Sequence, residues 1–491
     1  MPHGEWQMLI NGEHVEAADG DRLDVLNPAT GEVFDTAPAG TADNMDAAVA
    51  AARDAFDTWR NVKPERRGRY LFELADRLED IHDELVELET RENGKPLFQS
   101  ENDVTNAERI TRYYAGAADK IRGDTVLDTD EEVLKTVYEP MGVVGIVIPW
   151  NWPPIHTAEF AFVAVATGNT VVMKPAPETP LSSLRIAEVA ADVLPDGVFN
   201  VVTGGVEPGA RLTEHPDVNK LAFTGNDATG VKVLEAAAQN ITPAMMELGG
   251  KNPAIVFPDA NMEKAVTGLT YNAFYNSGQA CTNPERLLLH RDIYDEFLDE
   301  YTNHIEDIIV GNGADKRTEV GPLASAQQEE TVRAAIDRAT EQGAEIIGQA
   351  DLPDNPELED GFFVPPTVFD NVTPDMDVAC DEVFGPVVTP IPFEDEAHAI
   401  ELANDTEYGL AASVWSQDMN RAHRVTNNIE AGILCVNHPT RSRQGLPFGG
   451  YKRSGIGRKK GLDETMQEYL EVKSVQIDLT DDTFSFSYGN R

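Results

Sequence analysis

VVGIVIP, at residues 143–149, is the stretch of this sequence on which the predicted fold depends. It is short, apolar and rich in β-branched residues, as is typical of a strand buried on both faces of a parallel sheet. Comparable runs follow it: TVVMKP (170–175), FNVVTG (199–204), KLAFTG (220–225), AMMELGG (244–250) and NPAIVF (252–257). Helix-like runs, such as 181–194 and 228–239, lie between them. Strands that alternate with helices predict a doubly wound parallel α/β sheet.

The segments on either side of this region complete the α/β pattern. Helical spacing of apolar side chains predicts helices at 42–60, 64–90, 100–120, 261–276, 291–309 and 325–342. Strand-like runs occur at 124–139, 366–370, 387–391 and 412–416, and short strands and turns fill 5–35. The alternating tail at 471–479 predicts a strand that could pair elsewhere.

The charge of the chain is its most unusual bulk property. Asp and Glu number 85 against 39 Lys and Arg, which gives a formal net charge of −46. Such a chain is not a general nucleic-acid binder, because that function needs a basic face. We interpret the charge as an acidic, strongly hydrated surface suited to high salt, where screening removes the self-repulsion, and we expect a salt-accumulating halophile as the source.

Length and cysteine usage bound the class of protein further. A chain of 491 residues is too long for one hydrophobic core, so two or three domains are expected. No secretory signal and no apolar run of about 18 residues is evident, so we expect a cytoplasmic protein that does not cross a membrane. Cys281, Cys380 and Cys435 form no disulfide framework and have no metal-like spacing, so no metal site is expected.

Four of the predicted strands end next to a residue with useful chemistry. Asn151 follows one strand, where its amide could donate to an oxyanion, although Asn beside Pro is usually a turn residue. Lys174 ends another strand and could reach a ribose or phosphate, or could simply be solvated. The turn at Gly225 precedes a helix start that suits a pyrophosphate, but no GxGxxG spacing occurs. Glu247 is a candidate general base or an ordinary surface carboxylate.

The segment FYNSGQACTNPER, residues 274–286, holds the candidate nucleophile. It sets Cys281 in a loop of small residues that follows an apolar segment. A thiol that attacks carbon must reach a cleft and needs free backbone N–H groups near the attacked oxygen. Gly278 and its small neighbours permit that close approach. The alternative is an inert buried thiol, since free cysteine is among the most buried residue types.

Taken in this order, the motifs resemble those of the aldehyde dehydrogenase superfamily. They are PWNWP, GNTVVMKP, FTGN, MELGGKNP, SGQACT, EVFGP and PFGGYKRSGIGR, and the resemblance runs from about Met8 to Ile477. It implies a Rossmann-like cofactor domain, an α/β catalytic domain and a small β oligomerisation element whose tail strand adds to a neighbour's sheet, in a homodimer or homotetramer. The implied cofactor domain covers 1–121 and 141–249, and the catalytic domain covers 250–469. The oligomerisation element covers 122–140 and 470–491.

The resemblance also implies an activity, the NAD(P)+-dependent oxidation of an aldehyde to a carboxylate. Cys281 resembles the nucleophile, which forms a thiohemiacetal and then a thioester. Asn151 and the Cys281 backbone N–H resemble the oxyanion hole, and Glu247 resembles the base that activates the hydrolytic water. The positions that match the family's cofactor contacts are Trp150, Lys174, Gly205, Gly209, Thr224, Gly225, Asn226, Glu382 and Phe384.

The chain departs from the family pattern at several positions. Where NAD-preferring members commonly carry a Glu that bonds the ribose hydroxyls, this chain has Pro177, with Glu178 one residue later. A carboxylate there repels a 2′-phosphate, so the cofactor is NAD or NADP, with a slight preference for dual or NADP use. Asn226 stands where the family has Ser and can still donate to phosphate.

A further departure concerns the base. Phe160 and Lys459 stand where many members have a Lys–Glu pair that relays the proton of the base. We therefore expect Glu247 to exchange its proton through water or with help from Lys459.

The predicted substrate pocket contains conflicting charges. Arg441 and Arg443 lie in the loop that resembles the family's aldehyde site, and arginine favours an aldehyde that bears an acid group. Those arginines could instead pair with surface carboxylates or lie at a subunit contact. Glu159 falls where the family often has an aromatic residue and would suit an amino-aldehyde, or would pair with an arginine. Trp152 and Phe448 are expected to form an aromatic wall in either case.

Two alternatives remain open at this point. A CoA-acylating or phosphorylating relative is disfavoured by Glu247, since acylating relatives commonly lack that base. A non-catalytic structural member is disfavoured by the intact Cys281 and Asn151. We expect Cys281 to be alkylated before Cys380 and Cys435, which are predicted to be packing residues, because its site should lower its pKa. His156 is interpreted as pocket wall.

Overall fold

A computed structural model of the chain describes residues 6–481. Residues 1–5 of the predicted cofactor domain and residues 482–491 of the predicted oligomerisation element lie outside it. Within residues 6–481 the strands form two large sheets, one three-stranded sheet and two short ribbons. The ribbons pair Arg22–Leu26 with Val33–Pro38, and Tyr408–Gly409 with Tyr451–Lys452.

The first sheet has eight strands and contains the predicted parallel core. Its strands, in spatial order, are Glu13–Val15, Met8–Ile10, Phe199–Val201, Thr170–Lys174, Val143–Val147, Lys220–Thr224, Ala244–Glu247 and Gly455–Ile456. The five from Phe199–Val201 to Ala244–Glu247 are parallel, and an antiparallel strand borders them on each side. The central strand Val143–Val147 is buried along almost its whole length, as its apolar sequence predicts.

The second sheet has seven strands. In spatial order they are Glu345–Gln349, Thr367–Asp370, Val387–Phe393, Arg286–His290, Pro253–Val256, Ala411–Trp415 and Ile433–Val436. All neighbours are parallel except the first pair. The strand Gly455–Ile456 lies in the first sheet instead, although the sequence assigned residues 250–469 to the catalytic domain.

The tail strand Leu470–Asp478 belongs to the three-stranded sheet. It pairs antiparallel along nine residues with Glu132–Pro140, which in turn pairs with Thr125–Asp128. The tail is thus held by its own chain on one edge, and its other edge has no strand beside it within residues 6–481. Val126, Val472 and Leu479 are exposed on this sheet.

Helices cover the faces of the large sheets, and no helix in residues 6–481 is long and apolar enough to span a bilayer. The helices are Ala42–Trp59, Pro64–Asp80, His82–Asn93, Leu97–Ala117, Pro153–His156, Val163–Thr167, Leu181–Ala191, Val206–Glu214, Asp227–Asn240, Met262–Phe274, Tyr294–Glu306, Ala326–Glu341, Asp377–Cys380, Glu396–Asn404, Met419–Asn428 and Asp463–Gln467. Short 3₁₀ turns cover Tyr275–Gly278, Arg291–Ile293 and Pro356–Leu358.

Two local features depart from the helical pattern of the sequence. The helix predicted at 64–90 is broken at Ile81, whose ψ of 18° leaves the helical region, so two helices meet there. A π-helical turn, Thr157–Phe162, joins the short helices that follow Asn151. Such wide turns insert a residue into a helix, and apolar periodicity does not reveal them.

Candidate active site

The strand register of the first sheet gathers the predicted residues at one edge. Lys174 pairs with Val147, four residues before Asn151, and Thr224 pairs with Glu247. Because parallel strands end at the same edge, side chains that are distant in sequence meet there. The sequence-based placement of these residues at strand ends is the reason that they come together.

The loop that carries Cys281 is tightly constrained by its backbone and its neighbours. Asn276 and Ser277 have positive φ angles of 51° and 57°, which non-glycine residues adopt rarely. Gly278 also has a positive φ, of 73°, and a Cβ there would lie 2.0 Å from the Gly385 carbonyl oxygen. The Asn252 amide donates to the Cys281 carbonyl at 2.8 Å. Cys281 is therefore presented by a strained loop that the surrounding structure holds in place.

Cys281 opens into a cavity of about 330 Å³. Trp152, Arg441, Phe448 and Lys459 also line it, so the structure brings these sequence-predicted residues together. The other lining residues are Asn102, Asp103, Asn106, Ile155, His156, Tyr271, Asn272, Tyr275, Ala280, Thr282, His438, Pro439, Thr440, Ser442 and Lys460. Arg441 and Arg443 both line a neighbouring cavity of about 360 Å³, and Arg443 does not reach the first one.

The surroundings of Cys281 favour the neutral thiol over the thiolate. Burial raises the pKa of Cys281 to about 12, and the nearby Glu382 and Glu247 act in the same direction while Lys459 opposes them. The expectation of a lowered pKa was therefore wrong, because protein surrounds the sulfur. Cys380 is exposed rather than a packing residue, and Cys435 is half-buried.

Glu247 has the environment of a base that can hold a proton near neutral pH. Its side chain is buried, and neither carboxylate oxygen has a hydrogen-bond partner in the described structure. Burial raises its pKa to about 8; Lys459 pulls the pKa down and Glu159 pushes it up. An unpartnered buried carboxylate of this kind can take a proton from a water or a thiol.

A buried ion pair between Lys459 and Glu159 lies near Glu247. Lys459 Nζ donates to Glu159 Oε1 at 2.6 Å, and Lys460 Nζ lies 3.4 Å from Glu159 Oε2. Lys459 also lies over the rings of Phe160 and Phe448, at 4.9 Å and 4.8 Å from their centroids. Glu159 is fully buried and does not line the cavity, so the structure does not place it in the substrate pocket.

His156 connects this ion pair to Asn151. Its Nδ1 lies 2.7 Å from Glu159 Oε1 and its Nε2 lies 3.3 Å from Asn151 Oδ1. The Asn151 amide Nδ2 donates to the Gln279 carbonyl at 3.1 Å, which leaves its second N–H for another acceptor. His156 thus lines the cavity, as expected of a pocket wall, and also contacts the predicted oxyanion donor.

Lys95 anchors the backbone of Asn151. Its buried ammonium donates to Asn151 O at 2.8 Å, to Glu89 Oε1 at 2.8 Å and to Asp103 Oδ2 at 2.7 Å. Asp103 lines the cavity, so this network joins a helix of the first half to the site. Lys95 and Lys460 were not predicted from the sequence as part of the site, and His156 was interpreted only as pocket wall. The His156–Glu159 spacing of three residues on a helix was the one local signal of their contact.

Three of the predicted cofactor residues are Lys174, at the end of its strand, and two glycines, Gly205 and Gly209, of the helix that packs against it. Lys174 is buried and donates to the Pro175 carbonyl at 2.7 Å, and burial lowers its pKa to about 8. Gly209 lets the helix Val206–Glu214 approach, since a Cβ there would lie 3.1 Å from Lys174 Cε. Gly205 begins that helix, and a Cβ on it would meet nothing within 4 Å.

The turn after Thr224 offers fewer free backbone N–H groups for a phosphate than its sequence suggests. The Gly225 N–H donates to the Glu247 carbonyl at 3.1 Å, so it is already used within the sheet. Asn226 caps the helix Asp227–Asn240, and its Oδ1 accepts from the Thr229 N–H at 2.8 Å. Thr224 Oγ1 is buried without a partner in the described residues. A buried hydroxyl without a partner, three residues before a helix begins, fits a phosphate-bearing ligand.

Glu382, Phe384 and Trp150 are the remaining residues that the sequence predicts as cofactor contacts. Glu382 Oε1 accepts from the Gly250 N–H at 2.9 Å, and burial raises its pKa to about 8. Phe384 meets Trp150 edge to face, with 5.5 Å between ring centroids. The buried hydroxyl of Thr224, the cation of Lys174 and this aromatic pair fit a bound dinucleotide. Glu178 lies near Lys174 and is partly buried, and burial raises its pKa.

This fold and this site define the class of protein. The profile of the aldehyde dehydrogenase family matches residues 14–475, and the chain belongs to that family. Among curated relatives, the putative aldehyde dehydrogenase DhaS of Bacillus subtilis is 42% identical over 97% of each chain. An aldehyde dehydrogenase of Emericella nidulans is 39% identical over 97% of this chain and 96% of its own.

Solved structures give the same fold. A putative aldehyde dehydrogenase from Burkholderia cenocepacia superposes with a TM-score of 0.96 at 40% identity and covers 99% of this chain and 100% of its own. A betaine aldehyde dehydrogenase from Staphylococcus aureus in complex with NAD+ gives 0.96 at 36% identity, with coverage of 99% and 98%. PnpE in complex with nicotinamide adenine dinucleotide gives 0.95 at 41% identity, with coverage of 97% and 98%.

Proposed function

We propose that this protein oxidises an aldehyde to a carboxylate with NAD+ or NADP+, through covalent intermediates on Cys281. The observation that carries the proposal is that Asn151 and Glu247, at one edge of the first sheet, both lie close to the loop of Cys281, which opens into a cavity. Cys281 is the nucleophile, and Asn151 Nδ2 with the Cys281 N–H stabilises the oxygen of the thiohemiacetal. Glu247 then activates the water that hydrolyses the thioester.

A bound nicotinamide dinucleotide supplies the hydride acceptor in this proposal. Lys174 and Thr224 would hold its ribose and phosphates, and Glu382 with Phe384 would position the reacting ring. The NAD+ complexes of the similar solved enzymes support NAD+, whereas the Pro177 and Glu178 departure favours tolerance of NADP+.

Lys459 takes a role in this scheme that differs from a proton relay. Its ammonium is ion-paired with Glu159 and lowers the pKa of both Cys281 and Glu247. A fixed positive charge near both groups favours the thiolate when the thiol ionises and favours the carboxylate when the base must act. Lys459 is therefore a positioning and electrostatic residue, and water remains the carrier of the proton.

Domain bounds, assembly and setting are also proposals. We assign the cofactor domain to 1–121 and 141–249, the catalytic domain to 250–469, and the oligomerisation element to 122–140 and 470–491. The free edge of Leu470–Asp478 and the exposed apolar side chains beside it favour pairing with a second copy, in a homodimer or homotetramer. The net charge of −46 favours a halophilic, cytoplasmic enzyme with a small-molecule substrate.

The decisive experiment compares product formation with covalent trapping. Wild-type protein, Cys281→Ala and Glu247→Gln are incubated in multimolar KCl with aldehydes and either NAD+ or NADP+. We expect steady reduction of the cofactor in wild type, none in Cys281→Ala, and a single burst in Glu247→Gln with an acyl mass on Cys281. Acyl transfer to CoA but not to water would instead support the acylating alternative, and folded protein without any turnover would support a structural member.

A further inference from the structure

The charges around the substrate cavity are unevenly distributed. Lys459 and Lys460 share one carboxylate, Glu159, which is itself fully buried and turned away from the cavity. Lys460 is the more loosely paired of the two cations, at 3.4 Å from Glu159 Oε2, and it lines the cavity. The carboxylate that suggested an amino-aldehyde is therefore neutralised and unavailable to a substrate.

Arg441 adds a second positive charge at the mouth of the same cavity. Its side chain is exposed, lines the cavity with Cys281, and makes no ion pair with any residue in 6–481. Neighbouring lining residues that can donate hydrogen bonds are also accessible there, including the amides of Asn102 and Asn106. The chain has 85 acidic residues, yet none of those described pairs with Arg441. Its guanidinium is therefore free to bind the carboxylate of a ligand.

The remaining acid in the lining is already occupied. Asp103 Oδ2 accepts from the buried Lys95 ammonium at 2.7 Å, and that ammonium binds Glu89 as well. Lys460 Nζ also donates to Ser442 Oγ at 2.9 Å, which holds this cation beside the Arg441 loop. The cavity thus has a reacting thiol on its wall and unpaired positive charge at its mouth.

We propose that the preferred substrate is an aldehyde with a carboxylate at its far end, bound by Arg441 with Lys460 beside it. This inference rests on the proposed aldehyde oxidation. A cavity of about 330 Å³ is at the small end for ligand sites, so a short ω-oxo acid suits it. The carboxylate stays at the solvent-facing mouth while the aldehyde carbon reaches Cys281.

The test compares three aldehydes of equal length at constant ionic strength: 4-oxobutanoate, butanal and a trimethylammonium-bearing analogue. We expect kcat/KM to fall in that order. Arg441→Met should raise KM for 4-oxobutanoate about tenfold with little change in kcat, because a hydrogen bond to a charged group is lost. Butanal should change less than about twofold. Arg443→Met, which lies outside this cavity, is the matched control and should alter neither.

Two results would overturn the inference. One is butanal being oxidised as well as 4-oxobutanoate by the wild type. The other is Arg441→Met lowering kcat/KM for all three aldehydes equally, which would indicate a structural effect. Partial recovery of the 4-oxobutanoate KM in Arg441→Lys would support charge recognition.

A binding measurement separates this inference from the proposed function. Calorimetry on Cys281→Ala protein should show tighter binding of succinate than of butanoate, and Arg441→Met should abolish the difference. If no aldehyde is oxidised but this difference remains, the proposed chemistry fails and the anion site stands. If succinate binds no better than butanoate, the anion site is refuted whether or not aldehydes are oxidised.

Discussion

Two loops line the same cavity and are held in opposite ways. The loop of Cys281 has consecutive positive φ angles from Asn276 to Gly278, and Asn252 and Gly385 pack directly against it. The loop of Arg441 is anchored at Thr440, whose hydroxyl donates to the Thr282 carbonyl at 2.8 Å, but the residues beyond it are largely exposed. Cys281 is held by backbone constraint, whereas the Arg441 loop presents side chains that solvent can reach.

The largest expected effect tests the constrained loop directly. Cys281→Ala should reduce turnover by at least about a thousandfold, since no other thiol lines the cavity in the described structure. The initial rate of NADH or NADPH formation measures it. Cys435→Ala, outside this cavity, is the control and should keep its activity; a large loss there would show that thiol removal acts through folding.

The second prediction compares the two loops through matched glycines. Gly278→Ala should destabilise the protein by about 3 kcal/mol or more, because its Cβ would clash with the Gly385 carbonyl oxygen as well as sit at positive φ. Gly445, in the Arg441 loop, has φ of 96°, and its nearest atom would be 3.6 Å away. Gly445→Ala should cost only about 1 kcal/mol. Thermal unfolding measures both, and equal losses would remove the contrast between the loops.

The third prediction concerns the buried Lys459–Glu159 ion pair, and the expected pH shifts have opposite signs for its two members. In the proposed mechanism Glu247 acts as a base when ionised, so the hydrolytic rate should rise as the pH passes its pKa of about 8. Lys459→Met removes a charge that lowers this pKa, so the rising limb should move to higher pH and kcat should fall about 10- to 100-fold. Glu159→Gln removes a charge that raises it, so the limb should move to lower pH.

The measurement is the pH profile of kcat for both variants, with Lys459→Arg as the variant that keeps the charge. Thermal unfolding of each protein shows that it is folded at the assay temperature. If the rising limb of the pH profile stayed at the same pH in Lys459→Met, an electrostatic role for that residue would be contradicted.

The smallest expected effect concerns thiol reactivity in the free protein. Because the pKa of Cys281 is raised to about 12 and Cys380 is exposed, iodoacetamide near pH 7.5 should modify Cys380 first. Raising the pH should increase the rate at Cys281, and peptide mass spectrometry resolves the sites. Fast labelling of Cys281 at neutral pH would mean that the loop is looser than its contacts indicate.

The sequence predicted the strand-end residues well for a simple geometric reason. Lys174, Thr224 and Glu247 each end a short apolar strand, and parallel pairing alone then brings them to one edge. The α/β class followed from the same alternation. The break at Ile81 could not be predicted, since the apolar spacing continues across it.

The charges of the site could not be predicted from the sequence, because they depend on contacts between distant segments. Glu159 and Lys459 are 300 residues apart, and only the fold shows that they pair with each other and that Glu159 faces away from the cavity. The raised pKa of Cys281 likewise depends on how much protein surrounds it. Residue type suggested an activated thiol, but burial determines its proton affinity.

The short strand Gly455–Ile456 has a practical consequence for protein engineering. It comes from the C-terminal half of the chain, pairs with Met246 and Glu247 in the first sheet, and leads three residues later to Lys459. A chimera could join the N-terminal half of one relative to the C-terminal half of another at residue 250. Glu247 would then come from one parent, and Lys459, which lowers its pKa, would come from the other. Parent sequences for such chimeras should therefore be matched at residues 455–460 before they are matched anywhere near the junction.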